Sequence, residues 1–258
     1  MPTRNSPVQI PVAGQHIDGT IVAPSAVIPG VLLVHGWDGS QEQYIARAHE
    51  IAALGCICLT IDLRGHARHQ AQRQDVTRGD NLADVLAAYD TLVAHPAVDP
   101  ASIAIVGSSY GGYLAALASA VRPVRWLALR APALYRDENW DVPKGRLDRE
   151  DLRVYRAMTL VPDDNRVLAA CARFRGDVLV VESDLDRTVP HTVVQNYVNA
   201  FKQVRSVTYR VLAETDHALS TEEMRHAYGQ QLLGWMTEMV LGAKAATGMI
   251  RPRPRSPA

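Results

Sequence analysis

The sequence predicts an α/β protein: a mostly parallel eight-stranded sheet with helices on both faces and a small helical insertion. Three observations lead there. Short apolar runs alternate along the chain with helical stretches, the pattern of a parallel sheet covered on both sides. The central runs, such as Gly30 to His35 (GVLLVH) and Cys56 to Asp62 (CICLTID), are apolar almost throughout, as strands buried on both faces are. Composition agrees: 258 residues, 47% hydrophobic and 21% charged, supply a substantial core and exclude a disordered or collagen-like chain.

The first elements are two short strands between Val8 and Ala23, joined at an Ala-Gly turn. After the GVLLVH strand comes Gly-Trp-Asp-Gly, then a helix from about Tyr44 to Leu54, closed by Gly55. Cys56 to Asp62 is the next strand. Asp80 to Ala94 sets Leu82, Val85, Leu86, Tyr89 and Val93 on one stripe of an amphipathic helix. Ile103 to Val106 is a strand, Gly111 to Val121 a helix of small residues, and Trp126 to Leu129 a strand. Val178 to Glu182, Val193 to Phe201, Val207 to Leu212 and Thr221 to Glu238 continue as strand, helix, strand and helix.

The rhythm breaks between Pro132 and Gly176, where charge density rises and no strand appears although one is due. Two helices fit there: one with Leu152, Tyr155 and Met158, the other starting near Asp164 with Val167, Leu168, Cys171 and Phe174. The expectation is a single domain over 1–245, with a helical insertion at about 132–176 over one end of the sheet. Residues 246–258, ending RPRPRSPA, read as an extended, disordered tail.

With 27 basic and 27 acidic side chains, no clustered basic surface is predicted, which argues against nucleic acid as a partner. No apolar run is long enough to span a bilayer, and MPTRNSPVQIPVAGQ lacks a signal peptide's apolar stretch, so a cytoplasmic address is expected. Cys56, Cys58 and Cys171 show neither metal nor redox spacing and read as small buried hydrophobes.

The strongest chemical signal is Gly107-Ser108-Ser109-Tyr110-Gly111-Gly112, set between the strand IAIV and the helix GGYLAALASA. A strand turning sharply into a helix strains its central residue, and side chains two positions either side would collide with neighbouring elements. Ser109 then projects beside a helix N-terminus that favours an anion. A serine hydroxyl needs a base. Among nine histidines, His217 in AETDHALS follows a strand in a loop able to reach the sheet edge, whereas His226 lies within the last helix, His191 at a helix start and His35 at a strand end.

The orienting carboxylate is expected after the strand VLVVES: Asp186, followed by Arg-Thr-Val-Pro, with Asp184 in reserve. Ser109, Asp186 and His217 thus occur in the chain order Ser, Asp, His. Backbone N–H groups of Tyr110, at the helix start, and Trp37, in the loop after GVLLVH, are the candidate oxyanion donors.

The motifs HGWDG (35–39), DLRGHA (62–67), VDPASIAIVGSSYGG (98–112), DLDRTVP (184–190) and DHAL (216–219) resemble the α/β-hydrolase superfamily. They are most similar to its dienelactone-hydrolase-like and prolyl-oligopeptidase-like serine hydrolases. The resemblance implies an α/β-hydrolase fold over nearly the whole chain, with Ser109 nucleophile, Asp186 acid, His217 base, and Trp37 and Tyr110 oxyanion donors. Three positions depart from the pattern: the nucleophile is serine where dienelactone hydrolases use cysteine, Ala67 replaces the second glycine of DxRGxG, and Ser108 stands where histidine is frequent.

The expected activity is a serine hydrolase acting on a small-molecule carboxylic ester or thioester through an acyl-enzyme, with no metal or organic cofactor. Peptidase, amidase and acyltransferase action are the alternatives within enzymes, the short insertion leaving little room to select peptides. A ligand-binding homologue without turnover is the alternative outside them. The insertion is expected to wall one side of the pocket, with Arg136, Arg146, Arg149, Arg153 and Arg156 as solvated surface or as an attraction for anionic substrates.

Overall fold

A computed structural model of the chain describes residues 4–23 and 28–246. β1 (Arg4–Val12) and β2 (Gln15–Ala23) form a hairpin whose two-residue loop, Ala13-Gly14, has positive φ at both positions, as the twist of a tight hairpin requires. The remaining strands are β3 (Ile28–Val34), β4 (Ile57–Ile61), β5 (Val98–Ser108), β6 (Trp126–Arg130), β7 (Asp177–Ser183) and β8 (Ser206–Leu212). They form one eight-stranded sheet in the order β1-β2-β4-β3-β5-β6-β7-β8. β1 and β2 run antiparallel to their neighbours; β4, β3, β5, β6, β7 and β8 are mutually parallel.

Strand alternation divides the core between the two sheet faces. Leu32 and Val34 of β3 pack with Val85 and Ala88 of α2 (Arg78–Val93), Leu114 of α3 (Tyr110–Ala118) and Tyr197 of α6 (His191–Ala200). Val31 and Leu33 pack on the other face with Ala48 and Ile51 of α1 (Glu42–Ala53) and Leu232 and Trp235 of α7 (Glu222–Ala246). Successive side chains on a strand point to opposite faces, so one uninterrupted apolar run serves both layers. Truncating a fully buried leucine such as Leu32 to alanine costs about 2–5 kcal/mol.

Between β6 and β7 the chain carries α4 (Arg149–Arg156) and α5 (Arg166–Arg173). Their starts are capped by Asp148 and Asn165, whose side chains accept from backbone N–H groups of the first turn. Met158, which the sequence placed on the first of these helices, lies just beyond it, because α4 closes at Arg156. Other boundaries shift by a few residues: β5 begins at Val98 and α7 runs on to Ala246. Apart from that last helical residue, the predicted tail lies outside the described residues.

The topology positions the site. From β3 the chain moves to β4 on one side, then returns to β5 on the other, so successive connections diverge at the β3–β5 pair. A crevice opens outside the carboxyl ends of strands at such a point. The loop holding Trp37 and the turn holding Ser109 leave those two strands there.

Candidate active site

Ser109 sits between β5 and α3 at φ 52°, ψ −115°, a conformation that L-residues other than glycine rarely take. The surroundings enforce it. A Cβ at Gly107 would overlap the Gly111 carbonyl, and one at Gly111 would overlap the Val34 carbonyl of the neighbouring strand. The Ser109 N–H donates to the Arg130 carbonyl (2.8 Å), and its own carbonyl accepts from Tyr113 and Ala133. Other non-glycine residues with positive φ crowd the same rim, including Asp38, Ala131, Glu214 and Leu219.

Ser109, His217 and Asp186 come together. His217 Nδ1–H donates to Asp186 Oδ2 at 2.6 Å, and the Ser109 hydroxyl donates to His217 Nε2 at 2.9 Å. An ionised carboxylate only accepts, so its bond fixes the proton on Nδ1 and leaves Nε2 free to take one. The other oxygen of Asp186 accepts from the N–H groups of Thr188 and Val189, both at 2.8 Å, which orients the carboxylate.

Asp184, the reserve acid, does something different: its Oδ1 accepts from the Thr215 N–H at 3.0 Å, tethering the loop that leads to His217. Hydrogen bonds from the backbone, Glu214 foremost, hold its carboxyl below the usual range. His226 lies on α7 beside Gln230, and His191 pairs with Glu182. His35 is buried, its Nδ1–H donating to the Gly36 carbonyl and its Nε2 accepting from the Leu63 N–H, so it braces the loop after β3. Burial lowers the pKa of His35, and burial with the neighbouring His35 lowers that of His66 to about 4.

Trp37 and Tyr110, on the loop after β3 and just after Ser109, meet with their rings edge to face, centroids 5.5 Å apart. Tyr110 is the first residue of α3, where helical geometry provides no intrahelical acceptor for its N–H. Trp37 is gripped on several sides, by the edge of His66 and by Arg73 and Lys144 over its ring at 4.7 and 4.0 Å. Lys144 comes from the segment between β6 and β7. Burial, assisted by nearby Arg156, lowers its ammonium pKa to about 7.

A cleft of about 510 Å³ opens at Ser109 and His217, between the loop at 36–39, α1 and the start of α7. Sequence reasoning missed part of its wall, notably Arg47, Arg130, Arg225 and Tyr228. One signal was present, since Arg130 is a charge closing the otherwise apolar strand WLALR. Arg130 donates from Nε to Ser108 Oγ (2.7 Å) and from Nη2 to the His217 carbonyl (2.8 Å), linking the turn at Ser109 to the loop at His217. Ser108 thereby has a use of its own, as an acceptor. The insertion arginines are otherwise engaged: Arg136 with Asp151, Arg146 with Asp75, Arg153 with Glu150, and Arg156 with backbone carbonyls, while Arg149 is exposed.

Among the described residues no cluster of three or more His, Cys, Asp or Glu side chains is arranged to hold a metal ion, and no helix is long and apolar enough to cross a membrane. Cys56, Cys58 and Cys171 are buried, and burial raises the Cys58 and Cys171 thiols.

The sequence profile of the prolyl oligopeptidase family matches residues 42–242. The chain belongs to that family of hydrolases. Est1E from Butyrivibrio proteoclasticus, solved with ferulic acid, superposes with a TM-score of 0.68 at 20% identity, covering 92% of this chain and 99% of its own. A putative dienelactone hydrolase from Klebsiella pneumoniae subsp. pneumoniae gives 0.67 at 17% identity, with 92% and 99% covered. Carboxyl esterase 2 from the mycorrhizal fungus Tuber melanosporum gives 0.67 at 17% identity, with 92% and 86% covered. At such identities these likenesses establish the α/β-hydrolase fold. A comparison with curated proteins returned no match.

Proposed function

We propose that this member of the prolyl oligopeptidase family is a serine hydrolase that cleaves small carboxylic esters or thioesters through an acyl-enzyme on Ser109. The observation that carries the reading is the unbroken chain of hydrogen bonds from Ser109 through His217 to Asp186, on a strained turn at the mouth of a cleft. Ser109 Oγ attacks the carbonyl carbon while its proton passes to His217 Nε2; Asp186 stabilises the imidazolium. The oxyanion that forms accepts from the N–H groups of Trp37 and Tyr110, donors fixed before reaction and worth about 3–4 kcal/mol each in such sites. Collapse expels the alcohol or thiol, which takes the proton from His217. Water then attacks the acyl-enzyme with His217 as base, and the acid departs.

One structural neighbour named a carboxyl esterase, covered over 86% of its length, and another solved with ferulic acid, covered over 99%, favour ester over amide cleavage. The family match favours the peptidase reading. The segment at 132–176 fits a lid on this reading, because Lys144 reaches the Trp37 ring from it. Rates on p-nitrophenyl acetate and on a proline p-nitroanilide separate the two: the account expects turnover of the ester and little of the anilide, and the opposite ranking would make the chain a peptidase.

A further inference from the structure

Three arginines from three separate elements line the cleft beside Ser109: Arg47 on α1, Arg130 at the end of β6 and Arg225 at the start of α7. None takes part in an ion pair among the described residues. Asp38, the carboxylate lining the cleft, is already held by Arg73, whose hydrogen bond keeps its carboxyl below the usual range. Arg64 shows the usual solution for a buried arginine in this fold, with Nε on the Asp84 carboxylate at 2.6 Å.

Arg130 is only 6% exposed, yet both acceptors it meets, Ser108 Oγ and the His217 carbonyl, are neutral, and its Nη1 is buried without a partner. Nε of Arg47 is in the same state. Arg225, exposed at the edge of the cleft, donates to the Leu219 and Ser220 carbonyls, again neutral, so the cost of burial falls on Arg130 and on Nε of Arg47. Guanidinium groups stay charged in proteins, and burying one without a counter-ion is costly.

The arrangement is also preorganised. The guanidinium carbons of Arg47 and Arg130 lie 4.6 and 5.7 Å from the Tyr228 ring centroid, which restricts both side chains before any ligand arrives. Arg78, a second buried arginine without a carboxylate, differs: it packs on Tyr135 and Trp140 and borders a void of about 10 Å³, room for one water. The cleft at Ser109 is about 510 Å³.

We propose that this cleft receives an anionic group, a carboxylate or a phosphate, carried by the ester substrate itself, with Arg47, Arg130 and Arg225 as its receptors. This rests on the serine-hydrolase reading and adds the substrate's charge to it. The anion supplies the acceptors that the guanidinium groups lack and places the scissile carbonyl at Ser109. Arg130 acts on both sides of that junction, touching the His217 loop and the cleft.

The test compares kcat/KM for p-nitrophenyl butyrate with that for mono-p-nitrophenyl glutarate, which adds a free carboxylate. Wild type should prefer the glutarate by about tenfold or more. The preference should shrink as salt rises from about 0.05 to 0.5 M. Arg47→Met and Arg225→Met should each lower the glutarate-to-butyrate ratio several-fold, and Arg47→Lys should restore part of it, whatever happens to the absolute rates.

Free glutarate and inorganic phosphate serve as competitive inhibitors of butyrate hydrolysis, and the tighter of the two identifies the source of the anion. Butyrate turnover with a ratio near one in wild type, insensitive to salt, overturns the proposal and leaves the hydrolase standing. Failure to turn over either ester, together with no labelling by a fluorophosphonate, overturns the hydrolase reading and this proposal with it.

Discussion

Two imidazole–carboxylate pairs sit at the carboxyl end of β7, and only one of the two imidazoles meets a serine hydroxyl. His217 binds Asp186 at 2.6 Å and His191 binds Glu182 at 2.8 Å, each through Nδ1. The His191 side chain is 68% exposed, and the second oxygen of Glu182 is taken by the Tyr209 hydroxyl. The His217 side chain is 23% exposed and its free nitrogen accepts from Ser109. A histidine paired with an acid is therefore easily made. What distinguishes the first pair is a serine held on a strained turn, with glycines on either side that leave no other path for the backbone.

The sharpest way to break this contrast is to remove the Ser109 hydroxyl or the His217 imidazole. Ser109→Ala and His217→Ala should each lower kcat on p-nitrophenyl acetate by about 10⁴–10⁶-fold with folding intact, measured by turnover and circular dichroism. His191→Ala, at a side chain that is mostly exposed, should leave kcat/KM within a factor of about two, on the scale of ordinary surface changes. A large loss in His191→Ala would erase the distinction.

The acids sharpen it further. Asp186→Asn should cost about 10³–10⁴-fold in kcat, since the imidazole loses the partner that sets its tautomer. Asp184→Asn should cost no more than about tenfold, the scale of one backbone tether. Steady-state kinetics of the two variants side by side decide this, and equal effects would undo the assignment of the acid.

A third pair of rings gives a smaller effect, on stability. His35 and His66 lie 5.1 Å apart, buried, with folded pKa values lowered and that of His66 near 4. An unfolded histidine titrates near 6.5, so between about 6.5 and 4 the unfolded chain binds more protons than the folded one. Stability should be level above that window and fall as pH is lowered through it, by roughly 3 kcal/mol for His66 alone. Urea titrations at pH 7 and pH 4.5 read the slope, which His66→Asn should reduce.

The smallest effect concerns Ala67, where the resemblance expected glycine. Its φ of 45° is a conformation glycine adopts freely, so Ala67→Gly should raise stability by about 1 kcal/mol or less, seen as a small rise in Tm.

The parts of the site made by local rules were readable from the chain. Gly107, Ser109 and Gly111 announce the turn because backbone collisions admit nothing else, and Asp186 and His217 each follow an apolar strand directly. The fold was legible for a similar reason: runs such as GVLLVH must be covered on both faces, and each is followed by a stretch able to cover it. The cleft wall was less so. Arg47, Arg225 and Tyr228 lie on helices whose pattern marks the buried stripe but says nothing of which neighbouring residues converge from α1 and α7. The insertion arginines drew attention through density in the sequence, yet the fold gives most of them acids or carbonyls nearby. Those left without counter-charges were isolated residues in unremarkable surroundings.

On the proposed mechanism Ser109 is the group that becomes covalently acylated. Incubation with a fluorophosphonate, followed by intact-mass measurement and peptide mapping, tests this directly. The result expected is one adduct per chain, mapped to Ser109, formed much more slowly in His217→Ala. An adduct on Ser108 or Ser183 with Ser109 unmodified, or labelling at an undiminished rate without the imidazole, would contradict it.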